Sequence, residues 1–80
     1  MALTDLIRTI AVELVDEPDR VEVREVPSDN GQGTVIELRV AKEDIGKVIG
    51  KEGRTAQSMR AILSAASTKL GKRAHLDIID

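Results

Sequence analysis

Two glycines three residues apart, Gly50 and Gly53, interrupt what would otherwise read as one continuous helical pattern. Downstream, Arg54 to Leu70 carries Ala56, Met59, Leu63, Ala66 and Leu70 at three- and four-residue steps, the stripe of a long amphipathic helix. Upstream, Lys42 to Ile49 has room for a helical turn or two. A glycine inside a helix costs about 1 kcal/mol relative to alanine, and two so close together end it. The chain must therefore turn a corner between two helices at residues 50–53. Gly71, just beyond the long stripe, is placed to close that helix in a left-handed conformation.

The rest of the pattern is short and alternates. Leu3, Leu6, Ile7, Ile10 and Leu14 form one face of a first helix, which Asp16-Glu17-Pro18-Asp19 ends. Val21-Glu22-Val23-Arg24 alternates as a half-buried strand. Val26 is off that parity, which predicts a bulge or a fraying edge, and Pro27 closes the strand. Ser28-Asp29-Asn30-Gly31-Gln32-Gly33 is a turn cluster leading into Val35 to Val40, with Ile36, Leu38 and Val40 on one face. The two strands form a hairpin. Arg73 to Ile79 is a last strand, with Ala74, Leu76 and Ile78 inward.

The order is α-β-β-α-α-β, an α+β fold. Two helices between the second and third strands make that pair parallel, joined by a right-handed crossover. The sheet order is then 1-2-3, with three helices on one face. Eighty residues make one domain, 1–80, with a small core. That core is aliphatic, because the chain has no Phe, Tyr or Trp. The absence of aromatics also excludes the base-stacking platforms of RRM and OB folds. No cysteine, no basic leader and no membrane-length apolar run point to a cytoplasmic protein.

Charge is divided along the chain. Residues 1–41 hold four arginines against nine acids, and residues 42–73 hold eight cations against three acids. The net charge of −2 argues against indiscriminate polyanion binding; the division fits either two solvated faces that differ by chance or a local anion site on an acidic body.

The candidate for such a site is the glycine loop. The spacing of Gly46, Gly50 and Gly53 does not match a dinucleotide fingerprint. A P-loop fails too, since Gly46 and Gly50 are one residue too close and Glu52 follows Lys51 where a hydroxyl is needed. A G-x-x-G loop between two helices remains. It lets a phosphodiester backbone approach without meeting a Cβ, near free N–H groups at a helix start. The competing reading is a plain helical corner with the glycines as caps.

In this topology Ile49-Gly50-Lys51-Glu52-Gly53-Arg54 resembles the loop of a KH domain, and the leading α-β resembles the type II arrangement. Over the whole chain, with "DIGKVIGKEGRTAQSMRAI" as its core, the sequence is similar to the small bacterial KhpA family. The resemblance implies a non-enzymatic protein that binds single-stranded RNA, as an RNA chaperone or post-transcriptional regulator touching cell shape and peptidoglycan homeostasis. It implies homodimers, or heterodimers with a KhpB/Jag-type KH protein. By that resemblance Gly50, Lys51, Glu52 and Gly53 clamp the RNA backbone, Arg54 is the basic residue after the loop, and Val48 and Ile49 are the apolar residues before it.

Lys47 joins Lys51, Arg54 and Arg60 as nearby cations, enough to neutralise two to four phosphates. Ile49, Ala56, Ile36 and Leu38 are candidates for an apolar groove wall or its support, with Ile36 and Leu38 read as core. Ile62, about 80° from the centre of the long helix's stripe, sits among Ser58, Ala61 and Ala65, either as a candidate dimer face or as cover for the margin of the core against the neighbouring helix. A competing function is an assembly module with minor RNA binding, favoured by the acidic body and by Glu52.

Other residues carry less. His75 and Asp77 fall on the outward face of the last strand. One histidine and no cysteine leave no ordinary zinc set, and Pro18 interrupts Asp16, Glu17 and Asp19 as a calcium loop. Ser58, Ser64 and Ser67 lack a histidine base. No metal, cofactor or catalytic residue is expected.

Overall fold

The fold was described from a computed structural model covering residues 2–29 and 31–79. Asn30 of the expected turn lies outside the described residues. The elements are α1 (Leu3–Leu14), β1 (Glu22–Pro27), β2 (Thr34–Arg39), α2 (Ile45–Ile49), α3 (Arg54–Lys69) and β3 (Ala74–Ile79). Short 3-10 turns span Pro18–Arg20, Lys42–Asp44 and Lys51–Gly53. The sheet order is β1-β2-β3, with β1 antiparallel to β2 and β3 parallel to it, as the connection lengths require.

β2 is the centre of the sheet because its inward residues can be covered from every side. Ile36 and Leu38 are completely buried. They pair with Glu25 and Val23 on β1 and with Leu76 and Ile78 on β3. α1 lays Leu3, Ile7 and Ala11 over β1 and β2, and α3 brings Ala56, Met59 and Leu63 over β3. α2 closes the layer with Val48. An aromatic-free core of this kind relies on many interdigitated aliphatic contacts, each individually small.

Three details differ from the sequence pattern. Val26 is not at a bulge: pairing runs without a break from Glu22↔Arg39 to Pro27↔Thr34, and Val26 faces Val35 across the open side of the sheet. Leu14 is 36% exposed, since α1 ends there and the chain leaves in an extended conformation at Val15. Leu70 is 54% exposed, and Ser67 takes the buried place expected of it. The reason is the helix end. Leu70 is the C-cap residue. Gly71 follows at φ 71°, and its N–H bonds to Thr68 O, while that of Lys72 bonds to Ser67 O. This double closure is the Schellman arrangement and leaves Leu70 beyond the layer. Ser67 is tolerated in the core because its hydroxyl donates to Ser64 O at 3.0 Å.

Leu63→Ala should destabilise the chain by about 2–5 kcal/mol through cavity formation. Leu70→Ala should stay within about 0.5 kcal/mol. Urea unfolding of both variants, one residue of the same stripe buried and one exposed, checks the placement.

Candidate nucleic-acid interface

The corner at residues 50–53 owes its shape to its backbone. Gly50 has φ 77° and ψ 173°, a region essentially restricted to glycine. A Cβ there would fall 2.9 Å from the Thr55 backbone nitrogen and closer still to the Thr55 side chain. Gly50 is therefore required twice, by conformation and by close packing on the start of α3. Glu52 is the one non-glycine described residue with positive φ, at 56°. Gly53 follows at φ 75°, ψ 10°, where an added Cβ would meet open space. Its role is conformational and, on the outer side, one of clearance.

The corner opens a helix end toward solvent. Gly53 is the N-cap of α3 and offers no side-chain acceptor, and the first turn of α3 contains no acid. No side chain of the cap accepts from the start of α3, although the Arg54 N–H is taken by Lys51 O, and the positive end of the helix dipole faces this corner. Lys51, Glu52 and Arg54 are all exposed around it. Glu52 Oε2 lies 3.7 Å from Arg54 Nη2, a loose and solvent-screened contact.

The residues expected to join this surface divide into two groups. Ile49 does so, at 39% exposure on the last turn of α2. Val48 does not: it is completely buried, because α2 must turn one side chain of its two-residue apolar step into the core. Ala56 is 3% exposed, and Ile36 and Leu38 are at 0%, so these three can support a groove but offer no wall.

Lys47 is also engaged elsewhere. Its ammonium lies 3.1 Å from Asp16 Oδ2 and 3.4 Å from Asp44 Oδ1. Asp44 is 1% exposed, and its Oδ2 accepts the Glu17 N–H at 3.1 Å. Burial alone would raise the Asp44 pKa. The backbone N–H groups of Asp16 and Glu17, with Lys47, outweigh it and hold the carboxyl below its ordinary value. The same two carboxylates hold the Lys47 pKa above its ordinary value. Asp44 therefore adds stability above the usual carboxylate range and loses it as pH falls through its lowered pKa. Lys47 adds stability below its ordinary pKa and loses it only as pH rises through the raised one. Next to them Glu17 is raised by a hydrogen bond with Glu43, then by burial and the Glu43 charge. Sequence spacing could show Asp44 and Lys47 as an i,i+3 pair, but not that the α1–β1 connection closes over them.

Among the described residues no group of carboxylates and histidines is arranged to hold a metal, and no helix is long and apolar enough to cross a membrane. His75 and Asp77 are exposed on the open side of the sheet.

An α-β-β-α-α-β order with a two-glycine corner between the paired helices defines a KH domain of the type II arrangement. The chain belongs to the KhpA/KhpB KH-domain family, whose sequence model matches residues 4–78. It is 52% identical over 75 residues to the RNA-binding protein KhpA of Caldanaerobacter subterraneus subsp. tengcongensis, covering 94% of this chain and 97% of that one. It is 47% identical over 79 residues to the RNA-binding protein KhpA of Aquifex aeolicus, covering 99% and 98%. These relatives belong to a binding class, not an enzymatic one. A crystal structure of Aquifex aeolicus Era bound to GDP and aluminium fluoride shares the fold. Its TM-score is 0.60 at 23% identity, over 95% of this chain and 29% of that one.

Gly50→Ala should cost at least about 1–3 kcal/mol, since strain and overlap add. Gly53→Asn should cost under about 1 kcal/mol, because asparagine tolerates the left-handed region. Denaturant unfolding of the two variants measures the difference.

Proposed function

We propose that this chain binds single-stranded RNA through the corner at residues 50–53. The observation that carries the reading is an α3 start with no side-chain cap, shaped by Gly50 and kept clear by Gly53, with Lys51 and Arg54 beside it. The names of the relatives point the same way. In this reading the backbone amides and the two cations hold phosphates, and Ile49 lies against a base or sugar. KH loops clamp about four nucleotides. With Lys47 held by Asp16 and Asp44, the loop cations are Lys51 and Arg54, with Arg60 further along α3. The log–log salt slope for a short strand is then about −1.4 to −2.1, at roughly −0.7 per phosphate.

The chain then works in the cytoplasm as one KH module, an RNA chaperone or post-transcriptional regulator. α3 supports a partner surface. Ile62 is 46% exposed among exposed Ser58, Ala61 and Ala65, and does not join the core cluster. Small neighbours let another helix approach closely. A second copy, or a KhpB/Jag-type KH protein, is the fitting partner. The competing assembly-module reading draws on Glu52, whose carboxylate competes with phosphate for Arg54.

Lys51→Asp/Glu52→Asp should abolish binding to a short oligouridylate while leaving the melting temperature nearly unchanged, since both side chains are exposed. Unaltered affinity in the folded variant would remove the clamp. Ile62→Lys should turn a dimer into a folded monomer by light scattering after size exclusion. A wild-type chain that is monomeric at high micromolar concentration and ignores a KhpB-type partner would remove the α3 surface.

A further inference from the structure

At the opposite end of α2 from the loop, three cations from separate segments meet around one concavity. Arg20 comes from the 3-10 turn before β1, Arg39 from the end of β2, and Lys42 from the turn before α2. With Val40 and Ile45 they line a cavity of about 470 Å³. No carboxylate lines it. All three cations are exposed, and none forms a direct ion pair among the described residues. Charges that temper them are Glu17, which feels Arg20, and Glu22 and Glu37, which line a neighbouring concavity with Arg39, Glu22 being also its register partner on β1. Val40 is 6% exposed and Ile45 half-buried, so the floor is aliphatic and rigid, set on the core cluster.

Three donors around an apolar floor suit a group with anionic oxygens on one side and a flat or aliphatic body on the other. A nucleotide unit has that composition. An isolated carboxylate would leave the floor bare, and an acidic peptide would find only three cations. Position adds to the argument. Lys42 and Gly50 are separated by one short helical run, about 12 Å at helical rise. About four nucleotides at a stacked rise of ~3.4 Å cover that distance, so a strand reaches the far end with nucleotides beyond the four that the loop itself holds. One strand can therefore touch both ends of α2.

We propose that Arg20, Arg39 and Lys42, around the floor of Val40 and Ile45, form a second phosphate-binding subsite that engages the RNA strand beyond the nucleotides held at the loop. The proposal rests on the loop reading above and extends it: the footprint is longer than one clamp, and both ends of α2 take part. Arg20 and Arg39 belong to the acidic half of the sequence, so the subsite is invisible to a count of charge along the chain.

The test compares oligouridylates of 4 and 10 nucleotides on the full chain, using wild type, Arg20→Gln/Arg39→Gln/Lys42→Gln, and the loop variant Lys51→Asp/Glu52→Asp. For the wild type, the salt slope of the decamer should exceed that of the tetramer by about two, from three added phosphates at roughly −0.7 each. The triple variant should bind the tetramer as wild type does, and the decamer about tenfold more weakly, with its slope reduced to that of the tetramer. A triple variant with wild-type melting temperature, decamer affinity and slope would overturn the subsite. The loop reading would still stand if the loop variant loses the tetramer. Loss of both RNAs by the wild type would overturn both readings. Saturation of the pocket by micromolar uridine monophosphate, read from the Ile45 amide resonance, would assign it to a free nucleotide and overturn the RNA proposal. If the triple variant does not fold, Lys42→Gln alone decides, through a decamer slope lowered by about 0.7 or left unchanged.

Discussion

Asp44 keeps its charge where almost no water reaches it, and the placement of the loop depends on that. A buried carboxylate is tolerable only when its oxygens are occupied, and breaking such an arrangement is far worse than never having made it. Here the Glu17 N–H takes one oxygen and Lys47 the other. The chain leaving α1 is thereby fixed to the start of α2. α2 is only five residues long and buries one side chain, so it could not hold its own position by packing. Its first turn is anchored electrostatically, its middle by Val48, and its end by Gly50 pressed on Thr55. The corner that follows inherits that rigidity.

The same arrangement explains how charge is allotted. The basic half of the sequence suggested a pool of cations around the loop. The fold pairs the exposed Lys47 with Asp16 and the buried Asp44, and leaves Lys51 and Arg54 facing outward at the loop. Elsewhere it brings Arg20 and Arg39, both from the acidic half of the sequence, to a cavity lined by no carboxylate, although Arg39 also borders one lined by Glu22 and Glu37. Electrostatics on this surface is thus set by which segments the sheet and helices bring side by side. Net charge along the chain says little about it.

Much of the fold was legible because it is periodic. The stripes of α1 and α3, the alternation of β2 and β3, and the length of the connection between them follow from local pattern and chain geometry. The errors lie at element ends. Leu14 and Leu70 kept the spacing of a core stripe but fell where the helix stops and the covering layer runs out. Val26 appeared off register because alternation was read from one strand alone. The pairing with Val35 resolves it. The loop glycines were legible as a corner, though their inequality was not: only the position of Thr55 shows that Gly50 admits no side chain and Gly53 has space for one.

Local pattern and connection length are enough to specify the order of elements, the parallel pairing of β2 and β3, the aliphatic core and the two-glycine corner with its exposed Lys51 and Arg54. Each of these depends on residues close together along the chain, or on how far a connection can reach. Tertiary structure decided the burial of Val48 and Ala56, the capture of Lys47 by Asp16 and Asp44, the exposure of Ile62, and the meeting of Arg20, Arg39 and Lys42. Those depend on distances between segments far apart in sequence, and Coulomb and packing energies act across space without regard to the path of the chain.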